Sequence, residues 1–222
     1  MTLTWYGLSS FKITNTGGEV TIITDPFHKD SGLTPPRGAA DIVVISRPDE
    51  LHSNTDGMTG NPLIIKNAGE FDVKGVHISG IYPQPPSVAN PSGIDDAKKI
   101  PATVFLLEVD AVKIGFLGVF GERELTEHQL EEMGDIDVLI VPVGGNHGVI
   151  NWEWASHIVQ QVEPRFVVPC YFKQNGVIFD LDSPDKFLKE MGGEPKTEDR
   201  LTLKSKDLMT DSTTVVVLNP QR

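Results

Sequence analysis

With 222 residues, 39% of them hydrophobic and 23% charged, and no low-complexity tract, the chain can bury a sizeable core and reads as one compact globular unit. A formal net charge of -12 argues against the clustered Lys and Arg that phosphate backbones require, so nucleic acid is not an expected partner. No apolar run approaches the roughly 18 residues of a membrane span, Met1 to Lys12 lacks a basic region followed by a long apolar one, and the lone Cys170 permits no internal disulfide; a cytoplasmic protein away from membranes is expected.

Short apolar runs punctuated by Gly, Pro, Asn and Asp predict strands over Leu3 to Tyr6, Phe11 to Thr14, Val20 to Ile23, Ile42 to Ile45, Leu63 to Ile65 and Val76 to Ile81. Pro83 to Pro101 is polar and broken by prolines, which reads as a lid or as a disordered segment. A second series, Val104 to Val109, Val112 to Leu117, Val138 to Val141, Phe166 to Val168 and Thr214 to Leu218, is expected to build the other sheet. Helices are predicted over Leu125 to Met133 and over Asn151 to Val162, where Asn151 caps the start and Pro164 follows the end. A third runs from Ser183 to Met191, with Ser183 as cap, Pro184 in the first turn and Gly192-Gly193 as stop. Strands first, then alternating strand and helix, suggest two packed sheets with helices outside.

Several segments, in order, carry a family resemblance. Thr4-Trp5-Tyr6-Gly7-Leu8-Ser9-Ser10-Phe11 is similar to an opening Trp-x-Gly-His-Ser-x-Phe, and Ile22 to Phe27 contains the strand end Thr24-Asp25-Pro26. Ala40 to Ser46 leads into a metal-motif loop, and Asn67 to Val76 looks like a Gly-Glu-Tyr-Glu-Val turn. Ile114 to Gly118 resembles a strand ending in Gly-Asp, Asp137 to Gly145 resembles Asp-Val-Leu-x-x-Pro-Val-Gly-Gly, and Pro164 to Pro169 approaches a last ligand. Together these resemble the metallo-β-lactamase superfamily, in its branch of L-ascorbate-6-phosphate lactonase-like and related zinc-dependent hydrolases. The resemblance implies an α/β fold of the four-layer αββα sandwich type. It also implies two αβ halves, about residues 1-100 and 101-222, with a cleft along one edge that Pro83 to Pro101 borders.

The metal ligands that the resemblance implies are largely missing. A hydrolytic zinc site needs three or more His or carboxylate ligands and an open position for water. The family's Ser/Thr-His-x-His-x-Asp-His loop reads here Ser46-Arg47-Pro48-Asp49-Glu50-Leu51-His52, so only His52 is retained, with Asp49 still able to ligate. Leu8 stands at the opening His, Val119 at the bridging Asp and Tyr171 at the final His. Two family aspartates have thus become apolar, which avoids carboxylates crowded without a cation. Arg47 supplies permanent positive charge instead, and its guanidinium is expected in the cleft on Asp49 or Asp25.

The remaining candidates have bland readings beside functional ones. His147 is a loop histidine, or joins Asp25, Asp49 and His52 in a mononuclear site. Asp25 is a ligand or a turn former before Pro26. His28 flanks the cleft or faces solvent; His77, His128 and His157 read as structural, and Cys170 as a small buried apolar residue. The leading expectation is a non-hydrolytic pseudo-enzyme with no cofactor, binding a small molecule or a protein. The competing expectation is a hydrolase of a phosphorylated or lactone-type substrate, using zinc or another divalent metal. Self-association into a homo-oligomer stays open.

Overall fold

The computed structural model describes residues 1–82, 101–209 and 212–221. Its elements, in chain order, are β1 (Thr2–Gly7), β2 (Ser10–Thr14), β3 (Thr21–Thr24), β4 (Gly38–Ala39), β5 (Ile42–Val44), β6 (Met58–Thr59), β7 (Leu63–Ile65), β8 (Gly69–Val73) and β9 (Val76–Ile81). Then come β10 (Val104–Val109), β11 (Val112–Phe116), α1 (Glu127–Met133), β12 (Val138–Pro142), α2 (Trp152–Val162), β13 (Phe166–Cys170), α3 (Asp185–Met191), β14 (Lys196–Glu198), β15 (Leu201–Thr202) and β16 (Thr214–Leu218). The expected lid segment from Pro83 lies outside the described residues, apart from Pro101.

Two large sheets pack face to face. One has strand order β15-β1-β2-β3-β5-β7 and the other β14-β16-β13-β12-β11-β10-β9-β8. Their inner faces share one apolar cluster, in which Trp5, Phe11 and Ile42 of the first sheet join Phe105, Phe116 and Ile140 of the second. Along β1, Leu3 and Trp5 are buried while Thr2, Thr4 and Tyr6 are only partly so, the alternation of a strand with one face on a core. In β12 and β13 every residue is buried, as expected for parallel strands covered on both sides.

The helices cover the second sheet. α1 lays Met133 over Gly115 of β11, where a Cβ would meet the Met133 Cε at 3.1 Å. Its cap is Thr126, whose side chain accepts the Gln129 N–H while the Gln129 side chain accepts the Thr126 N–H, so the helix begins two residues later than Leu125. Asn151 caps α2 as expected, by accepting the Trp154 N–H. Ser183 does not cap α3: its hydroxyl bonds the Asp185 carboxylate, and the helix starts after Pro184.

Three features depart from the sequence reading. Gly69 to Val73, expected as a turn, is the edge strand β8, because its residues pair with β9 from Gly69–Gly80 to Val73–Val76. β8 and β9 both precede residue 100 yet belong to the second sheet, so sheet membership does not divide at the expected midpoint. Among the described residues the outer side of the first sheet carries no α-helix; Ile23, Ala40, Val43 and Ile45 pack there with Tyr6 and Met58.

Near the C-terminus the chain links both sheets within a few residues. β14 pairs with β16 in the second sheet, and β15 then pairs with β1 in the first. Leu203 N–H donates to Met1 O, and Gln221 N–H donates to Trp5 O.

Gly144, just after β12, tests the packing at the cleft edge. A Cβ there would lie 2.1 Å from the Tyr171 carbonyl oxygen, a backbone atom that cannot rotate away, while Asp182 N–H holds Gly144 from the other side. Gly144→Ala is expected to lower stability by on the order of 1–3 kcal/mol in urea denaturation, and a variant as stable as the parent would refute this close approach.

Candidate functional site

The candidate residues lie on loops that follow the C-terminal ends of β3, β5, β12 and β13, all at one edge of the sandwich. Asp25 follows β3 directly, with φ 34°, and is fully buried. Its Oδ1 accepts the Ser46 N–H at 2.6 Å and its Oδ2 accepts the Ser46 hydroxyl at 2.7 Å. Ser46 Oγ in turn accepts the Val119 N–H at 3.0 Å, which ties the loop after β5 to the loop after β11. Gly118 allows this contact, since a Cβ there would sit 2.1 Å from Ser46 Oγ.

Ser46 so fixed, the next residues form a chain of bonds. Arg47 Nε donates to Asp49 Oδ2 at 2.8 Å, and its Nη1 and Nη2 reach the carbonyls of Gly148 and His147 at 3.4 Å. Asp49 Oδ1 accepts the His52 N–H at 2.9 Å and the His52 Nδ1 at 2.7 Å. Because an ionised carboxylate cannot donate, Nδ1 must carry the proton there, and in the neutral ring Nε2 then accepts the Tyr171 O–H at 2.9 Å. Tyr171 and His52 are buried, whereas the side chains of Arg47 and Asp49 keep 13% and 25% of their exposure.

Electrostatics follow the same wiring. Burial raises the Asp49 carboxyl, but the His52 hydrogen bond and the charges of His52 and Arg47 outweigh it and hold the group well below the usual carboxylate range. Burial pushes the Asp25 carboxyl from 3.8 up to about 6, against the opposing pull of His52 and Ser46. Burial likewise pushes the Tyr171 phenol above its ordinary value, so it stays a hydroxyl.

The structure therefore brings together Arg47, Asp49, His52 and Tyr171, and sets Asp25 beside them on Ser46. Arg47 pairs with Asp49, one of its two expected partners, and not with Asp25. His147 is not part of the group: it is exposed, with φ 55°, and its ring packs on Phe179 at 4.5 Å between centroids. Among the described residues no three His, Cys, Asp or Glu side chains are placed to hold a metal ion, so Asp25, Asp49, His52 and His147 do not converge as the alternative mononuclear shell requires. The donor chemistry agrees, because both ring nitrogens of His52 and all four oxygens of Asp25 and Asp49 already have protein partners. Leu8 and Val119 point into the apolar core, and the Leu8 carbonyl accepts both the Trp5 indole N–H and the Tyr171 N–H.

Ser46 was not singled out from the sequence, although it bonds both Asp25 oxygens and the Val119 N–H and immediately precedes Arg47. A Ser directly after an apolar strand and before a charged residue was the available signal, but its partner lies 21 residues upstream, which no local pattern shows.

Two measurements follow from this wiring. Arg47→Ala leaves a partly buried Asp49 without its cation, and Tyr171→Phe leaves His52 Nε2 without a donor; each should lower stability by about 1–3 kcal/mol in urea denaturation. An Arg47→Ala protein as stable as the parent would remove the charge-replacement reading. For Asp25, the folded state binds its proton more tightly than the unfolded chain does, so stability should fall as pH rises from about 4 to about 6, by at most about 3 kcal/mol. Asp49 has the opposite sign, its stabilisation being lost only as pH falls below its ordinary 3.8. Denaturation midpoints measured from about pH 4 to 7 should therefore lose their Asp25 slope in Asp25→Asn, and equal slopes in the two proteins would exclude a strained Asp25 carboxylate.

Comparison with known proteins agrees with this frame. Residues 2–171 match the family model described as a beta-lactamase superfamily domain. A solved structure of a proposed Zn-dependent hydrolase of the metallo-β-lactamase superfamily from Thermotoga maritima is 30% identical, with 98% of each chain covered and a TM-score of 0.76. Igni18, a metallo hydrolase from Ignicoccus hospitalis, is 19% identical over 100% of this chain and 96% of its own, with a TM-score of 0.63. A proposed metal-dependent hydrolase from Parabacteroides distasonis is 16% identical over 99% and 93%, at 0.60; at these identities the last two show the fold alone. No curated protein matches. Matched along most of its length and in its sandwich architecture, the chain belongs to the metallo-β-lactamase superfamily.

Proposed function

We propose that the chain is a non-hydrolytic member of its superfamily, a pseudo-enzyme that works by binding a small molecule or a protein. The observation that carries this reading is the closed circuit from Arg47 through Asp49 and His52 to Tyr171, in which protein donors and acceptors satisfy one another. A hydrolytic metal needs free lone pairs pointed at one centre and an open position for water. Here a guanidinium offers its charge to the carboxylate and a phenol occupies the second imidazole nitrogen. Metal binding at His52 would have to break that bond and expose a buried ring.

A second reading is favoured by the Thermotoga maritima relative, described as a Zn-dependent hydrolase. On that reading the chain hydrolyses a phosphorylated or lactone-type substrate with a divalent metal, after Asp49 and His52 turn away from their present partners. We place the protein in the cytoplasm, which the lone Cys170 supports; among the described residues no helix is long and apolar enough to cross a membrane.

Elemental analysis of protein purified without chelators or metal-affinity resin separates the two readings. The pseudo-enzyme should retain far less than one metal per chain and turn over neither phosphate esters nor lactones when zinc or manganese is supplied. Near-stoichiometric metal with turnover lost in His52→Ala would overturn it. Arg47→His alone should not create metal binding, since Leu8, Leu51, Val119 and Tyr171 still stand where family ligands would be.

A further inference from the structure

Beside the filled cleft lies an open recess of about 460 Å³, lined by His28, Lys29, Pro35, Arg37, Asn54 and Asp56, with Gly57 at its base. Its walls are pinned to the loops that carry Asp25 and His52. His28 N–H donates to Leu51 O, Asn54 N–H donates to Pro26 O, and the Asn54 amide donates to Phe27 O at 3.2 Å. Arg37 is also held: its stem lies across Gly57, where a Cβ would come within 2.8 Å of Arg37 Cγ, and Gly38 N–H donates to Gly57 O. The side chains of Lys29 and Arg37 have no ion-pair partner among the described residues, in a chain whose net charge is -12. His28, in the recess wall, pairs with Asp30 through Nδ1, and among the described residues its Nε2 has no hydrogen-bond partner.

We propose that this recess binds a small hydroxylated anion, such as a phosphate monoester or a hydroxycarboxylate. The proposal rests on the reading of the protein as one that binds rather than hydrolyses, and supplies the class of ligand. Lys29 and Arg37 provide the two positive charges, and the planar fork of Arg37 matches the paired oxygens of a phosphate or carboxylate. Asn54 and His28 add polar contacts from the pinned wall. Asp56 lines the same recess, so the ligand needs a hydroxyl that can donate to it; a bare anion would meet repulsion on that side. The volume lies within the range of about 300 to 1,000 Å³ typical of small-molecule sites.

Isothermal titration of the full chain with glucose 6-phosphate, malate and glucose tests the proposal. At least one of the two anions should bind and glucose should not, and whichever anion binds identifies the charged group preferred. The doubly substituted Lys29→Ala/Arg37→Ala protein, altered at exposed side chains away from the core, should keep its melting temperature and lose about ten-fold or more in affinity. Raising the salt concentration should weaken the parent and leave the double variant little changed. Failure of both anions to bind, glucose binding as tightly as glucose 6-phosphate, or a double variant with the parent's affinity would each overturn the recess. Conversion of a bound anion to product, with affinity still dependent on Lys29 and Arg37, would support the recess and overturn the non-hydrolytic reading instead.

Discussion

Asp25 has both carboxylate oxygens on Ser46, one on its backbone N–H and one on its hydroxyl, and that hydroxyl receives the backbone N–H of Val119 from the opposite sheet. This arrangement joins β3, β5 and the end of β11 at the edge where their loops meet. It costs a buried acidic group and a backbone at φ 34°, outside the usual region for a residue with a Cβ. What it secures is the direction in which the chain leaves Ser46, and therefore where Arg47, Asp49 and His52 fall. The placement of the charged residues is thus a consequence of a short polar contact that itself carries no catalytic group.

The cleft shows how buried charge is balanced within the chain itself. Removing positive charge from a site designed around it leaves carboxylates that repel each other and resist burial. Where the family resemblance implies two further carboxylates the chain has Leu51 and Val119, and Asp49, at a position the resemblance gives to histidine, is matched by Arg47. Tyr171 reaches the His52 imidazole with a phenol that brings no charge of its own. Leu8, Asp25 and Tyr171 all have positive φ, so each marks an unusual turn of the backbone beside the cleft.

Much of this was legible in the sequence, and the limits have physical causes. The buried strands announced themselves as apolar runs, and the motif loop drew attention to Arg47, Asp49, His52 and Tyr171, which the fold joins by hydrogen bonds. β8, β14 and β15 did not, because edge strands with alternating or full exposure, such as Lys196–Glu198, have no apolar run to mark them. The choice between the two readings of His147 was not legible, because its position after β12 fixes the loop but not the side chain, whose ring packs on Phe179. The partners of Arg47 beyond Asp49, the carbonyls of His147 and Gly148, lie about a hundred residues away and follow from tertiary contact alone.

The segment from β14 to β15 places consecutive strands in different sheets, and Leu203 and Gln221 return to β1 from the far end of the chain. Such a crossing behaves as a latch. Peeling β14 from β16 pulls on β15, and releasing β15 unzips the first sheet from β1, so this edge cannot fray one strand at a time. The opposite edge is joined in the same way, since β7 closes the first sheet and β8, the next strand in the chain, closes the second. Each end of the sandwich is therefore tied across its two sheets by one short connection, and opening of either sheet there strains the other.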